Sequence, residues 1–389
     1  MKNKKVLFIP ETYPSGLTGT SVKTRRTIEF LLKSGVSVDV ACMNFDTLAK
    51  KDLKHRNLRI FNVYSSGIRK LRLGLFVKLF RYIFSIKPII VHRIYDKRLE
   101  IVINTLLDSF EYDYVFFDGF STMQYANQMS KSYIYIDNED ITILLKKRFL
   151  ESNNIFRKIF MYSEYLRSKL FEKKYFKLMG QVWAISKNGL KRFKTISKGK
   201  HVLMPTIVPE ENNVYNKNSK NIVFTGTLSW PENYIGLRWF LESCWDDILK
   251  VYPETKLLII GQRGDNRLND ILDKSKNVEL LGYVEKLSDV YKNCSLAISP
   301  VFINVGIKIK VLTYLSFGLP VVATKQSLGG MVSKDGVLAS NKSNFSKAII
   351  KLLKDDKMRN KLSLAGYNNI KKNHLEFSLD QFFKKNSVL

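Results

Sequence analysis

Short apolar runs alternate along the chain with longer stretches whose apolar residues recur every three or four positions. Residues 5–10 (KVLFIP) read as a buried strand that runs into the turn-rich ETYPSGLTGTS. Residues 22–34 have helical spacing and stop before Gly35, and 36–43 (VSVDVACM) form the next strand. Strand, loop, helix and strand in that order imply a parallel pair with a right-handed crossover. YDYVFFD (112–118), SYIYID (132–137) and QVWAIS (181–186) read as further buried strands, each followed by a polar or glycine-containing loop. The pattern restarts at NIVFTG (221–226). It predicts a helix after Pro231 over 234–251, a strand at KLLIIG (256–261) and a helix near 266–275. Short strands follow at 278–281 and 296–300, then a helix over 307–317, a strand at 319–324 and a helical region over 342–389. The Pro-, Asn- and Lys-rich stretch 205–220 reads as an interdomain linker.

The fold class expected is α/β, with two Rossmann-like doubly wound domains at 1–205 and 206–370. A C-terminal helix at 371–389 is expected to pack back on the first domain. Open parallel sheets bind ligands at the C-terminal ends of their strands, so a cleft between the two domains is the expected site.

Composition narrows the chemistry by exclusion. The chain has 389 residues, 45% of them hydrophobic, which excludes a disordered or collagen-like protein. The three cysteines, Cys42, Cys244 and Cys294, are far apart, and no two of the four histidines pair at i, i+4. A disulfide framework and the zinc-hydrolase spacing are therefore not expected, and a reducing cytoplasm fits best. No apolar run has the length of a membrane span, and MKNKKVLFIPETYP lacks the apolar core of a signal peptide.

The formal net charge of +29 is unevenly placed. Residues 1–200 hold 38 of the 64 Lys and Arg but only 17 of the 35 Asp and Glu. The segment from Ile68 to Lys87 carries six basic residues and no acid. Leu75, Phe76, Leu79, Phe80, Ile83 and Phe84 fall at helical spacing, with Lys78, Arg81 and Ser85 on the other side. That pattern suits an anionic lipid surface, and equally a core-facing helix with a solvated basic back. A second basic stretch, 146–177, reads as a helix or a helix pair. No zinc finger, RNP-type strand or basic zipper supports nucleic acid as the partner.

The stretch SPVFINVGIKIKVLTYLSFGLPVVAT (299–324) carries the most chemistry. A strand ends at Pro300, a loop holds Asn304 and Gly306, and a helix begins just after. Free N–H groups near Ile307 and Lys308 and the positive end of the helix dipole make an anion site, beside the charges of Lys308 and Lys310. An ordinary helix start with two solvent-facing lysines reads equally well on spacing alone.

TGTLSWPENYIGLRWF (225–240), LLIIG (257–261), LGYV (281–284) and GIKIKVLTYLSFGLPVVAT (306–324) resemble, in order and spacing, the C-terminal domain of GT-B glycosyltransferases of the family 4 type. The first half matches more weakly, through a glycine loop after the first strand. The resemblance implies transfer of a sugar from a nucleoside diphosphate sugar to a saccharide or lipid-linked acceptor, retaining and metal-independent, with no cofactor. It implies that Gly226 and Thr227 lie near the phosphates and Gly261, Gln262 and Arg263 near the nucleotide. Tyr283 and Val284 would read the base, and Asn304, Val305, Gly306, Ile307, Lys308 and Lys310 would hold the diphosphate and donor sugar. Gly16, Gly19 and Thr20 match the glycine loop that closes on the donor. Catalysis would fall to Lys310 and Arg263 on the leaving group and to Asp118 near the transferred sugar, with Asp137 and Glu139 on the acceptor side. A cytoplasmic protein, peripheral at the inner face of the membrane through 68–87, would follow.

The chain departs from its relatives at two positions. They commonly carry a glutamate for the ribose hydroxyls where Thr313 stands, and an earlier one where Val305 stands. A threonine cannot accept from two hydroxyls as a carboxylate does. A catalytically silent subunit that binds a partner enzyme or a glycan therefore stands as the alternative. An epimerase or hydrolase on the same architecture is a third, which no residue favours. The DNED run at 137–140 resembles the metal-binding clusters of the other large glycosyltransferase fold, but the nucleotide signals after residue 220 oppose that fold.

Overall fold

The computed structural model describes residues 4–11, 13–15, 19–44, 53–64, 85–138, 140–261, 266–302, 307–329, 331 and 333–386. The chain divides into two compact units: 1–204 with 379–389, and 205–378.

The first unit is built on β1 (Lys5–Pro10), β2 (Ser37–Asn44), β3 (Leu58–Tyr64), β4 (Tyr114–Asp118), β5 (Ser130–Ile136), β6 (Met179–Ala184) and β7 (Lys200–Leu203). They form one parallel sheet in the order β3-β2-β1-β4-β5-β6-β7. Its helices are α1 (Gly19–Lys33), α2 (Ile89–Ile94), α3 (Lys97–Ser109), α4 (Ile141–Glu151), α5 (Ile155–Tyr175) and α6 (Lys187–Ile196). Val6 to Ile9 are wholly buried. Helices cover both faces of a parallel sheet, so β1 reads as a continuous apolar run rather than an alternation.

The second unit repeats the plan with β8 (Ile222–Thr225), β9 (Leu257–Ile260), β10 (Val278–Gly282), β11 (Leu296–Ser299), β12 (Val321–Thr324) and β13 (Val337–Ser340). The order is β10-β9-β8-β11-β12-β13, again parallel. Its helices are α7 (Pro231–Phe240), α8 (Asp246–Val251), α9 (Asn266–Lys274), α10 (Leu287–Tyr291), α11 (Ile309–Ser316), α12 (Phe345–Lys354) and α13 (Asp356–Asn373). The last helix, α14 (Glu376–Lys385), carries the chain back into the first unit at Leu379. There Phe382 and Phe383 pack on Trp183 of β6, with ring centroids 4.8 and 5.5 Å away.

Three local features differ from the sequence pattern. The helix expected over 234–251 is α7 and α8 joined by a π-helical turn, Leu241–Trp245. Pro231 occupies its first turn, where a missing N–H costs nothing. The stretch 205–220 lacks regular structure, but it is bonded to the second unit along its length. Val208 N–H donates to the His374 carbonyl (2.9 Å), and Arg359 donates to the Lys217 carbonyl (2.9 Å) and the Tyr215 hydroxyl (3.2 Å). The return crossing comes at 379 rather than 371, because α13 runs to Asn373 within the second unit. Of the basic segment 68–87, only Ser85, Ile86 and Lys87 lie among the described residues.

Candidate functional site

In each sheet the strand order reverses once, between β1 and β4 in the first unit and between β8 and β11 in the second. The loops leaving the C-terminal ends of such neighbours diverge, and the gap they leave is where ligands bind. Both reversal points hold a polar cluster centred on a lysine, buried in the first unit and half-buried in the second.

In the first unit, Lys23 on α1 points into the gap and is 4% exposed. Its Nζ donates to Asp118 Oδ1 (3.0 Å), to the Asp137 carbonyl (3.0 Å) and to Asn138 Oδ1. Thr24 donates its hydroxyl to Asp118 Oδ2. Asp118 ends β4, is wholly buried, and has both carboxylate oxygens engaged. Glu11, just past β1, accepts from the Ser121 N–H (2.8 Å) and hydroxyl (2.6 Å). Burial raises its pKa, and the Asp118 charge adds to that. Desolvation, aided by the charge of Asp140, pushes Asp137 up to about 7. Asp140 itself caps α4 through the Ile143 N–H (3.0 Å) and pairs with Arg192 (2.9 Å).

In the second unit the lysine is Lys310, in the first turn of α11. Its Nζ donates to Asn233 Oδ1 (2.5 Å) and lies 4.4 Å from the Phe224 ring centre. Asn233 Nδ2 donates in turn to the Thr227 carbonyl (2.9 Å), which holds the loop after β8. The neighbouring Lys308 pairs with Glu232 at 2.6 Å, and both side chains are nearly enclosed. Glu232 is therefore committed to Lys308. Among the described residues, Lys310 bonds to a neutral amide rather than a carboxylate. Burial lowers its pKa to about 7, and the Lys308 charge helps; Glu232 opposes the shift.

Close packing fixes which residues fit here. A Cβ on Gly226 would lie 2.8 Å from Asn233 Nδ2 and 3.0 Å from Lys310 Nζ. One on Gly261 would lie 2.0 Å from the Gly226 carbonyl, and its φ of +155° also disfavours a side chain. Tyr314 and Tyr291, both buried, anchor the end of β8. The Thr225 N–H donates to the Tyr314 hydroxyl (2.5 Å), and the Thr225 and Tyr291 hydroxyls are 2.9 Å apart. Among the described residues no side chain caps α11, so its first turn directs its positive end to where the half-buried Lys310 stands with no carboxylate on it. Those are the elements of a phosphate site.

The structure thus gathers Gly226, Thr227, Gly261, Lys308 and Lys310, with Ile307 half-buried before α11. Thr313 lies one turn along α11, and its hydroxyl donates to the Ile309 carbonyl (3.0 Å). Gly261 N–H donates to the Gly282 carbonyl (2.8 Å), so Tyr283 and Val284 begin where β10 meets this loop; Tyr283 is exposed. Gly19 and Thr20 open α1, four and three residues before Lys23. Asp118 and Asp137 are enclosed in the first cluster. Gly16, Glu139, Gln262, Arg263, Asn304, Val305 and Gly306 lie outside the described residues. Sequence reasoning singled out neither Glu232 and Asn233 nor Lys23, Thr24 and Glu11. A Pro-Glu-Asn opening to α7 was the one visible signal for the first pair, since an acid in a first turn faces the helix's positive end.

Fold and site together point to one class. Residues 219–355 match the family model Glycosyl transferases group 1. The chain has the GT-B fold, the fold of the glycosyltransferases it superposes on. WaaG, a glycosyltransferase involved in lipopolysaccharide biosynthesis, superposes with a TM-score of 0.65 at 14% identity, over 97% of this chain and 98% of that one. HepE of Anabaena, solved in complex with UDP and glucose, superposes with a TM-score of 0.63 at 12% identity, over 99% and 100%. An uncharacterized 44.6 kDa protein in the cps region of Klebsiella pneumoniae is 24% identical over 362 residues, 89% of this chain and 90% of that protein.

Proposed function

We propose that the protein transfers a sugar from a nucleoside diphosphate sugar to a saccharide or lipid-linked acceptor during assembly of a bacterial surface polysaccharide or glycolipid. The observation that carries this is Lys310, a half-buried lysine beside Gly226 at the N-terminus of α11, with no carboxylate on it among the described residues. The related protein in a cps region and the likeness to a lipopolysaccharide enzyme support the biosynthetic setting.

The second unit takes the donor. As the glycosidic bond breaks, the departing diphosphate gains charge. Lys310, Lys308 and the first turn of α11 stabilise that charge, each such donor lowering the barrier by a few kcal/mol. The reading is of a retaining, metal-independent reaction in which the leaving phosphate takes the acceptor proton. Asp118, locked by Lys23 and Thr24, positions the loop after β4. Work on a lipid-linked acceptor places the enzyme at the cytoplasmic face of a membrane, with the basic segment from Ile68 to Lys87 as one contact.

Thr313 favours a second reading. Its hydroxyl is turned to the Ile309 carbonyl, so no carboxylate meets the ribose at this position, as fits a silent subunit that binds a partner enzyme or glycan. Calorimetry of the purified protein against UDP-, GDP-, ADP-, dTDP- and CMP-sugars separates the two. One donor that binds and is lost in Lys310→Ala supports the transferase; UDP-sugars come first because HepE was solved with UDP. A folded protein that binds none of them favours the silent subunit.

A further inference from the structure

Helix α5 is apolar on the side that faces solvent. Its inner side is set by Glu164, Ser168, Phe171, Glu172 and Tyr175, all buried. The opposite side presents Phe156 (81% exposed), Ile155 and Ile159 (each 61%), Leu170 (50%), Tyr162 (45%) and Leu166 (40%). Ile155, Ile159, Tyr162, Leu166 and Leu170 follow 4–3–4–4 spacing, with Phe156 beside them, so they form one stripe along a helix about 30 Å long. Asn154 caps the helix through the Arg157 N–H (3.0 Å), so Phe156 sits in a well-formed first turn. A stripe of this extent on a folded unit marks an interaction surface.

Charge identifies the occupant. The two acids of α5 both point inward: Glu164 accepts from the Ile89 N–H (2.7 Å), and Glu172 is bonded by Arg192. Among the described residues of α5, the charged ones that flank and end the outer side are cations, among them Lys158, Lys169, Lys173 and Lys174. Lys158, Lys169 and Lys174 lie over the rings of Phe149, Tyr165 and Tyr175, at 5.3–5.6 Å. Protein–protein interfaces are depleted in lysine, whereas an apolar stripe with a lysine border matches acyl chains beneath anionic headgroups.

We propose that the outer face of α5 docks the protein on an anionic lipid surface. Phe156, Ile155 and Ile159 enter the acyl region, and the four lysines extend to the headgroups. This surface is separate from the segment 68–87 and does not depend on the donor assignment.

Flotation of the full chain tests it, using vesicles of phosphatidylcholine alone and of phosphatidylcholine mixed with phosphatidylglycerol. The wild type is expected on the mixed vesicles only, and less so as salt rises. Phe156→Ser with Ile159→Ser should lower that partition about tenfold or more, with unchanged melting temperature and unchanged donor binding by calorimetry. Lys169→Glu with Lys173→Glu should lower it several-fold at low salt and little at high salt. The proposal is overturned if the serine variant binds like wild type while Phe76→Ser with Phe80→Ser does not, or if neutral vesicles bind equally. It is also overturned if the wild type is a dimer that the serine variant dissociates and shows no vesicle binding, since the face then belongs to a second copy. Loss of donor binding in the wild type would count against the function proposed above and leave this result standing.

Discussion

Two lysines, Lys23 buried and Lys310 half-buried, sit at equivalent places in the two units, each where a parallel sheet reverses its strand order. Lys23 is surrounded by acceptors: a carboxylate, a carbonyl and an amide oxygen. Among the described residues, Lys310 has one neutral amide oxygen and a neighbouring cation whose own carboxylate is already taken. A cation whose partners are complete has no use for a ligand; it ties α1 to the ends of β4 and β5. A cation whose partners are incomplete is held at a free-energy cost that an incoming anion relieves. On the proposed function, the same residue type in the same topological position serves as a structural tie in one unit and a ligand contact in the other.

The largest effect that sharpens this contrast is expected from Lys23→Met. It leaves Asp118 buried and unpaired, and should cost about 3–5 kcal/mol in urea denaturation, with Lys23→Met/Asp118→Asn recovering much of the loss. If Lys23→Met unfolds no more easily than wild type, the tie is not structural. Lys310→Met should do the reverse. Donor affinity should fall roughly 10–100-fold by calorimetry, while the melting temperature holds or rises because a desolvated charge is gone. A melting temperature that drops as far as in Lys23→Met would erase the distinction.

The third expectation concerns pH. The unfolded Lys310 has the ordinary lysine value and the folded one about 7, so between those values the unfolded chain binds more protons and this residue's contribution to stability rises with pH. Donor binding runs the other way. A bound diphosphate restores the proton, so affinity should decline as pH rises above about 7, with proton uptake seen as a buffer-dependent binding enthalpy. Lys310→Met should remove both signals. The smallest effect is Thr313→Val. Its hydroxyl serves the Ile309 carbonyl, so donor affinity should stay within about twofold. A tenfold loss would show that the hydroxyl turns to the ribose.

The central strands were legible because burial on both faces leaves unbroken apolar runs, as in Val6–Ile9 and Leu257–Ile260. The strands not foreseen, β3, β7 and β13, all lie at sheet edges. Their residues are only partly buried, and KHVL at β7 has no such run. The cluster around Gly226 and Lys310 was legible because glycine and lysine at a helix start have a local signature. The partners that set their chemistry were not. Asn233 and Lys310 are 77 positions apart, and Lys23 and Asp118 are 95, so neither pair leaves a local pattern. Asp118 and Asp137 read as acid–base candidates from their positions at strand ends; that their oxygens face Lys23 depends on the crossover of α1.

The return of the last helix to the first unit has a consequence for synthesis. Trp183 is made long before Phe382 and Phe383, and the whole of 205–378 comes between them. At ribosomal speeds on the order of 5–20 residues per second, this aromatic face stays open for roughly 10–40 s while the second unit emerges and folds. The first unit is thus the first to begin folding and the last to finish. On the nascent chain, the exposed indole face is the place where a holding chaperone or an unwanted neighbour would find its opening.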